Sequence, residues 1–170
     1  MLGRLILEPL AKSHVEELFN YFSDDALYEF IPLERPKDEE QFGAWINGML
    51  EGPADNNEVW LNWVSRKKTD LEPVGFVQTT IFQKTRSASL AYFTFKPFWR
   101  KGFAREGCQM AFHRLRKRND VDVVTANVDS ENLASLVLLQ SLGFQRRDYL
   151  IKADFFKNRW SDEISFRYLL

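Results

Sequence analysis

Residues 58–66 (EVWLNWVSR), 74–83 (VGFVQTTIFQ) and 88–95 (ASLAYFTF) are three successive runs rich in β-branched and aromatic side chains, parted only by short polar stretches. Connections that short join neighbouring antiparallel strands, so the centre of the chain must be a meander. Beyond residue 100 the pattern changes. Ala104, Cys108, Ala111, Phe112 and Leu115 fall on one side of a helix from about Gly102 to Arg118. A buried-looking strand, VDVVTANV, follows at 121–128, then a helix over 131–141 and two strands near 144–152 and 163–169. Before the meander, 4–9 (RLILEP) reads as a strand. Val15, Leu18, Phe19 and Phe22 have helical spacing, with Ser13 as N-cap and Glu16 three residues later. A second helix is expected from Asp38 to Leu50, after the acidic, irregular stretch SDDALYEFIPLERP. Strands that alternate with helices put the helices on the faces of the sheet. The expectation is one α/β (α+β) domain over residues 1–170, with a mixed, mostly antiparallel sheet of about seven strands flanked by about four helices.

Composition narrows the function classes. The 170 residues suffice for one domain with a single core. With 23 basic and 24 acidic residues the net charge of -1 gives no global pull toward nucleic acid or an anionic membrane. No apolar run has the length of a membrane span, and the first residues lack the layout of a signal peptide, so a cytoplasmic protein is expected. A single cysteine forms no internal disulfide, and two histidines far apart in sequence argue against a metal site.

The segment LAYFTFKPFWRKGFAREG, residues 90–107, is the most informative. A strand ends, a short loop follows, and Gly102 opens an amphipathic helix. The first-turn amides of a helix lack intrahelical partners and carry the positive end of its dipole, which suits a phosphate. Gly102 and the small Ala104 let the backbone come close, and Arg100 and Lys101 add full charges. The alternative is a plain helix start with solvated basic residues. Neither a P-loop nor a G-x-G-x-x-G dinucleotide turn is present. A second cluster, NVDSENLASLVLLQSLGF at 127–144, places Asn132 and Ser135 on one helical face and closes on Gly143 and Phe144.

Together the two segments resemble the GNAT superfamily of N-acetyltransferases, and within it the ribosomal-protein-alanine acetyltransferase branch (RimJ and RimL). The run Y-x-x-x-x-x-x-W-G-K-G-Y-A-x-E-A is met by Tyr92, Trp99, Lys101, Gly102, Phe103, Ala104 and Glu106. The run N-x-x-S-x-x-L-x-x-x-x-G-F is met by Asn132, Ser135, Leu138 or Leu139, Gly143 and Phe144, with small differences in spacing. The chain departs from the family at Arg100, where a glycine is usual, at Gly107, where alanine is usual, at Pro97, and at Ser87, Ala88 and Ser89, where a glutamate often stands. It also has Glu8 where the first strand more often carries arginine.

The resemblance implies an enzyme that transfers an acetyl group from acetyl-coenzyme A to a primary amine in a ternary complex. It implies cofactor contacts from Phe93, Thr94 and Phe95, from Arg100, Lys101, Gly102, Phe103, Ala104 and Arg105, and from Asn132 and Ser135. Strand amides near Tyr92 to Phe95 would stabilise the oxyanion if a bulge leaves them unpaired. Ser135 is the first candidate for the acid that protonates the thiolate, and Tyr92 the second. For the base, Glu29, Asp129 and Asp162 stay open. Glu29 and Glu34, in the acidic stretch, are expected to attract a cationic acceptor, a small amine or a protein N-terminus, or else to be a solvated helix end. No metal is expected, and the protein is expected to be a monomer or a homodimer. Cys108 is expected to pack, His14 to be exposed, and the basic run 113–118 to be a wet helix end. A non-catalytic acyl-coenzyme A module of the same fold and an RNA-associated protein are the competing readings.

Overall fold

The computed structural model describes residues 3–170, so residues 1 and 2 of the expected domain lie outside the described residues. The chain runs β1 (Leu5–Pro9), α1 (His14–Phe22), α2 (Glu39–Glu51), β2 (Glu58–Lys67), β3 (Pro73–Phe82), β4 (Ser87–Thr94), α3 (Phe103–Arg118), β5 (Val123–Asp129), α4 (Leu133–Ser141), β6 (Gln145–Phe156) and β7 (Arg159–Leu169). The seven strands form one sheet in the order β1-β2-β3-β4-β5-β7-β6. Every neighbouring pair is antiparallel except β4 with β5, which is parallel. The expected mixed, mostly antiparallel sheet with four helices is the observed one.

Each face of the sheet has its own core. Alternation along β3 sends Val77 and Ile81 to one side, where Cys108, Ala111, Phe112 and Leu115 of α3 and Leu139 of α4 cover them. Val74 and Phe76 go to the other, under Leu18 and Phe22 of α1 and Phe42 and Ile46 of α2. The second core is aromatic. The Phe22 ring lies 5.1 Å from Phe42, 5.5 Å from Trp45, 5.5 Å from Phe93 and 5.4 Å from Phe95, which pins α1 and α2 over the ends of β3 and β4. Helix α3 approaches β2 and β3 closely because residue 107 is glycine. A Cβ there would stand 3.1 Å from Ser65 Oγ and 3.3 Å from a Val77 methyl, so an alanine would require those side chains to give by a few tenths of an ångström.

Several local expectations are corrected. Ser13 is in helical backbone geometry and caps nothing. The start of α1 is closed instead by His14, whose Nδ1 accepts the Ala11 N–H at 3.1 Å, and His14 is buried rather than exposed. Asp38 does cap α2 through the Gln41 N–H, at 2.8 Å. The last two strands are longer than expected and meet in a two-residue turn at Lys157 and Asn158, both with positive φ. Register shifts in β6 between Arg146 and Tyr149 and between Leu150 and Asp154 break the period-two pattern, so the sequence does not show the strand's full length. Among the described residues no helix is long and apolar enough to cross a membrane.

Glu8, placed where the family more often has arginine, finds its arginine on the next strand. Arg66 of β2, itself buried, donates to Glu8, holds Glu17 of α1 through two bonds of 2.7 and 2.6 Å, and reaches the Leu71 carbonyl at 3.0 Å. Both carboxyls are held below their usual range, chiefly by these hydrogen bonds. Arg66→Met should destabilise the fold by about 2 kcal/mol, less than for a fully buried pair because the two carboxylates keep solvent contact. That corresponds to a thermal midpoint lowered by roughly 4–8 °C at pH 7. Because the folded pKa values lie below the unfolded ones, this stability is present above about pH 4.3 and lost as the pH falls through the folded values. Melting curves of the two proteins should therefore converge in acid.

Candidate active site

The one parallel pairing of the sheet is also its shortest. β4 meets β5 only from Ser87–Ser89 against Val123–Thr125, after which the two strands part. β4 stays paired with β3 as far as Thr94, and β5 with β7 as far as Asp129. The sheet therefore opens into a wedge between two intact halves. Phe95 N–H donates to Val74 O at 3.0 Å. In an antiparallel ladder such groups alternate, so the backbone of Phe93 also turns toward β3, whereas the N–H groups of Tyr92 and Thr94 turn into the wedge. β4 carries no bulge; the parting of the strands, not a bulge, frees these amides. The Thr94 carbonyl beside them is taken by Trp99 Nε1 at 2.6 Å, so Trp99 leaves an amide rather than a carbonyl as the free group at the mouth.

Below the wedge, Pro97 begins a tight turn over Lys96–Phe98, and the loop then reverses into α3. Gly102 caps the helix in the left-handed region (φ 79) without a side-chain bond. The first intrahelical bond runs from Glu106 N–H to Gly102 O, which leaves the amides of Phe103, Ala104 and Arg105 without partners among the described residues. Arg100 is also left-handed, at φ 58, an angle that would suit the glycine usual there. The charges around this turn are partly tied: Lys101 Nζ bonds Pro97 O at 2.8 Å, and Arg105 reaches Ser141 O of α4 at 3.3 Å. The turn is locked from the far end of the chain. Glu106 accepts the Leu5 amide at 2.8 Å and Arg4 Nε at 3.0 Å, while Arg4 also bonds Lys101 O and lies 4.4 Å over the Phe103 ring.

On the α3/α4 side of the wedge stand Tyr92 and Ser135. Asn132 caps α4 by accepting the Ser135 N–H at 3.1 Å, so its side-chain oxygen serves the helix. Burial pushes the Tyr92 phenol above its ordinary range, and Ser135 is the neighbour that acts in the opposite direction. No hydrogen bond closes between them: the Tyr92 hydroxyl is out of solvent and without a partner among the described residues. Buried polar groups are almost always satisfied, so an orphan hydroxyl at the edge of an opening marks a place for another polar atom. Cys108, fully buried with its thiol pushed up to about 12 by desolvation, is no nucleophile.

The opposite face of the wedge is bordered by the loop after α1 and the tip of the β6–β7 hairpin. Tyr28 packs on Phe93, with ring centres 6.1 Å apart. Lys157 at the hairpin tip donates to the carbonyls of Tyr28, Ile31 and Leu33, and Arg159 lies over Phe30. Of the acidic residues in this stretch, Asp24 caps a short turn and Asp25 pairs with Arg35 at 2.8 Å, while Glu29 and Glu34 remain exposed and uncommitted. Asp129 is buried and fully engaged: it accepts Glu131 N–H at 2.8 Å, Ser161 Oγ at 2.7 Å and Arg159 at 2.6 Å. Although desolvation alone would raise it, these bonds hold its carboxyl below the usual range. Asp162 is held low in the same way by Tyr149 and the Lys152 amide. Neither has the free, basic lone pair that a proton acceptor needs.

The basic run 113–118 is largely consumed inside the molecule. Arg114 bonds Leu7 O, Arg116 bonds the Tyr168 hydroxyl and Arg118 pairs with Asp120. It offers no basic face for RNA. Sequence reasoning missed Arg4, Lys157 and Arg159, whose partners lie about a hundred residues or several elements away. Glu106 could have been singled out, because it stands in the quoted motif directly after the phosphate-type turn.

Residues 4–145 match the acetyltransferase (GNAT) domain family. The chain is 26% identical over 148 residues, 86% of its own length and 82% of the relative's, to the uncharacterized N-acetyltransferase YoaA of Bacillus subtilis. It superimposes with a TM-score of 0.85 and 15% identity on a Salmonella typhimurium acetyltransferase that modifies the N-terminal serine of a 50S ribosomal subunit protein, covering 99% of this chain and 96% of that one. With a TM-score of 0.83 and 20% identity it also superimposes on the Vibrio cholerae spermidine N-acetyltransferase solved with coenzyme A and spermine, covering 98% and 95%. A match over most of its length, on a sheet that parts between its fourth and fifth strands, shows that the chain belongs to the GNAT acetyltransferase family.

Proposed function

We propose that the protein transfers an acetyl group from acetyl-coenzyme A to a primary amine, and that the wedge between β4 and β5 is where this happens. The observation that carries the reading is the orphan Tyr92 hydroxyl beside Ser135 in an opening where the same strand, β4, turns free backbone amides inward. The relatives' acceptors, a protein N-terminus and a polyamine, support an amine of either kind. Bound acetyl-coenzyme A would supply an activated acyl group as a thioester. Phe103, Ala104 and Arg105 would hold its diphosphate through their amides at the positive end of α3, with Arg100 and Lys101 adding charge. The amides of Tyr92 and Thr94 would receive the negative charge that develops on the carbonyl oxygen. Of the three strand residues expected at the cofactor, Thr94 alone aims its amide there. Phe93 and Phe95 contribute by packing under α1 and α2.

Tyr92 stays protonated at any working pH, so it can donate to a departing thiolate and cannot act as base. A phenol is a weaker acid than a thiol, so its contribution is a donated hydrogen bond that steadies the sulfur. Ser135 completes the donor pair. Tyr92→Phe should lower kcat about 100-fold with the Kd for coenzyme A nearly unchanged. The same change removes a buried, unsatisfied hydroxyl, so the variant should melt about 2–4 °C higher, a gain of about 1 kcal/mol. Slower turnover with an unchanged or lower melting point would remove the orphan-hydroxyl argument. Ser135→Ala should reduce turnover while calorimetry finds coenzyme A affinity intact.

Gly102→Ala tests the diphosphate site. The added Cβ would have room, 3.5 Å from Arg4 Nη2, so the effect comes from the left-handed backbone. That conformation costs a residue with a Cβ about 1–2 kcal/mol, which should weaken coenzyme A binding about 5–30-fold in calorimetry as the turn relaxes.

A further inference from the structure

The acid candidates stand on one side of the sheet, which leaves the other side open to the amine. We propose that Glu163 of β7 is the general base that takes the proton from the acceptor's ammonium group; this rests on the acetyltransferase reading above. Ile164 and Phe166 point into the α3/α4 core, so Glu163 lies on the opposite face, the one bordered by the loop after α1 and the hairpin tip. It is paired across β5 with Asp129, the residue that ends the far wall of the wedge. Neighbouring strands are about 4.8 Å apart, so a glutamate side chain at this register is long enough to extend over the end of β5 toward the opening.

The surroundings favour a carboxylate that wants a cation. Glu163 is half-buried and has no hydrogen bond or ion pair among the described residues. Asp129 beside it is paired with Arg159 and accepts a hydrogen bond from Ser161, and that arginine is bound up with Asp129 and Glu131 rather than with Glu163. Leu150 faces it from β6, and Asp154 on the same strand acts on it as a like charge. Ser161 and Ser165 flank it along β7, each turned to another carboxylate, Asp129 and Asp148. Burial, and then Asp154, raise its carboxyl above the ordinary range. A raised carboxyl pKa is closer to what proton abstraction near neutrality requires. Asp129 and Asp162 are depressed instead.

The balance is as follows. The ammonium gives one proton to the Glu163 carboxylate, and its nitrogen lone pair forms the C–N bond. The C–S bond breaks with its electrons on sulfur. The second nitrogen proton ends on that sulfur, and Glu163 releases the first to water. Ammonium and thioester thus give amide, free thiol and one proton.

The test is Glu163→Gln, assayed by thiol release with two acceptors: an alkylamine (pKa about 10.4) and an α-amino compound (pKa about 8). Near pH 7 the variant should lose about 100-fold or more in kcat/KM with the alkylamine. The loss should shrink to under about tenfold with the α-amino compound and above about pH 9.5, where solution removes the proton instead. Its melting point should equal or exceed the wild type's, because a carboxylate raised by burial opposes folding at neutral pH. In carbon-13 NMR of glutamate-labelled protein with coenzyme A, the resonance missing from the variant should titrate at lower pH once spermine is added. An equal loss with both acceptors at every pH, an unchanged rate, or a carboxyl indifferent to spermine would overturn the proposal and leave the acetyltransferase reading standing. A wild type that binds coenzyme A yet releases thiol with no amine would overturn both.

Discussion

Three paired positions hold β4 against β5, and the structure depends on there being no more. A parallel pair continued to Thr94 and Asp129 would consume the amides of Tyr92 and Thr94 and seal the sheet. The parting costs backbone hydrogen bonds, and unpaired buried amides are unfavourable unless water or a ligand supplies the missing partner. It persists because each half is braced independently. β4 is fixed to β3 and to the Phe22 cluster, while β5 is fixed along its whole length to β7. The wedge is thus a property of two rigid units, with no strained loop needed to hold it open.

Around the wedge the molecule separates groups that satisfy one another from groups that do not. Arg66 with Glu8 and Glu17, Arg4 with Glu106, and Arg159 with Asp129 are closed sets that fix elements in place. Tyr92 on one face and Glu163 on the other are left open, both shifted upward by burial. The upward shift has opposite meanings for the two. It makes the phenol a lasting hydrogen-bond donor and makes the carboxylate a better proton acceptor. Placing donor and acceptor on opposite sides of a sheet keeps them from neutralising each other, and a reacting group held between them can use both.

Much of this was legible in the residues. The meander at 58–95, the amphipathic helix opened by Gly102 and the Asn132–Ser135 spacing are short-range signals, each contained in one or two elements. Their physical basis is side-chain periodicity and the unsatisfied first turn of a helix. The expectation for His14 failed because its partners, Glu8 and the Ala11 amide, bury it only once β1 and α1 have folded against each other. β6 was read too short because its bulges hide the alternation. Glu29, Asp129 and Asp162 stayed open as proton acceptors and Glu163 was not singled out, since an acid in or beside a strand looks the same in sequence whatever binds it. Their difference lies in which neighbours hydrogen-bond to them.

By itself, then, the sequence determined the class of fold, the order of its elements and the turn suited to a diphosphate, because each follows from local periodicity and backbone chemistry. Tertiary structure alone decided which strand amides are free, that the Tyr92 hydroxyl is orphaned beside the opening and that Glu163 has no cation among the described residues. Those are facts about partners brought together from distant parts of the chain, and a partner's absence has no signature in a linear string of residues.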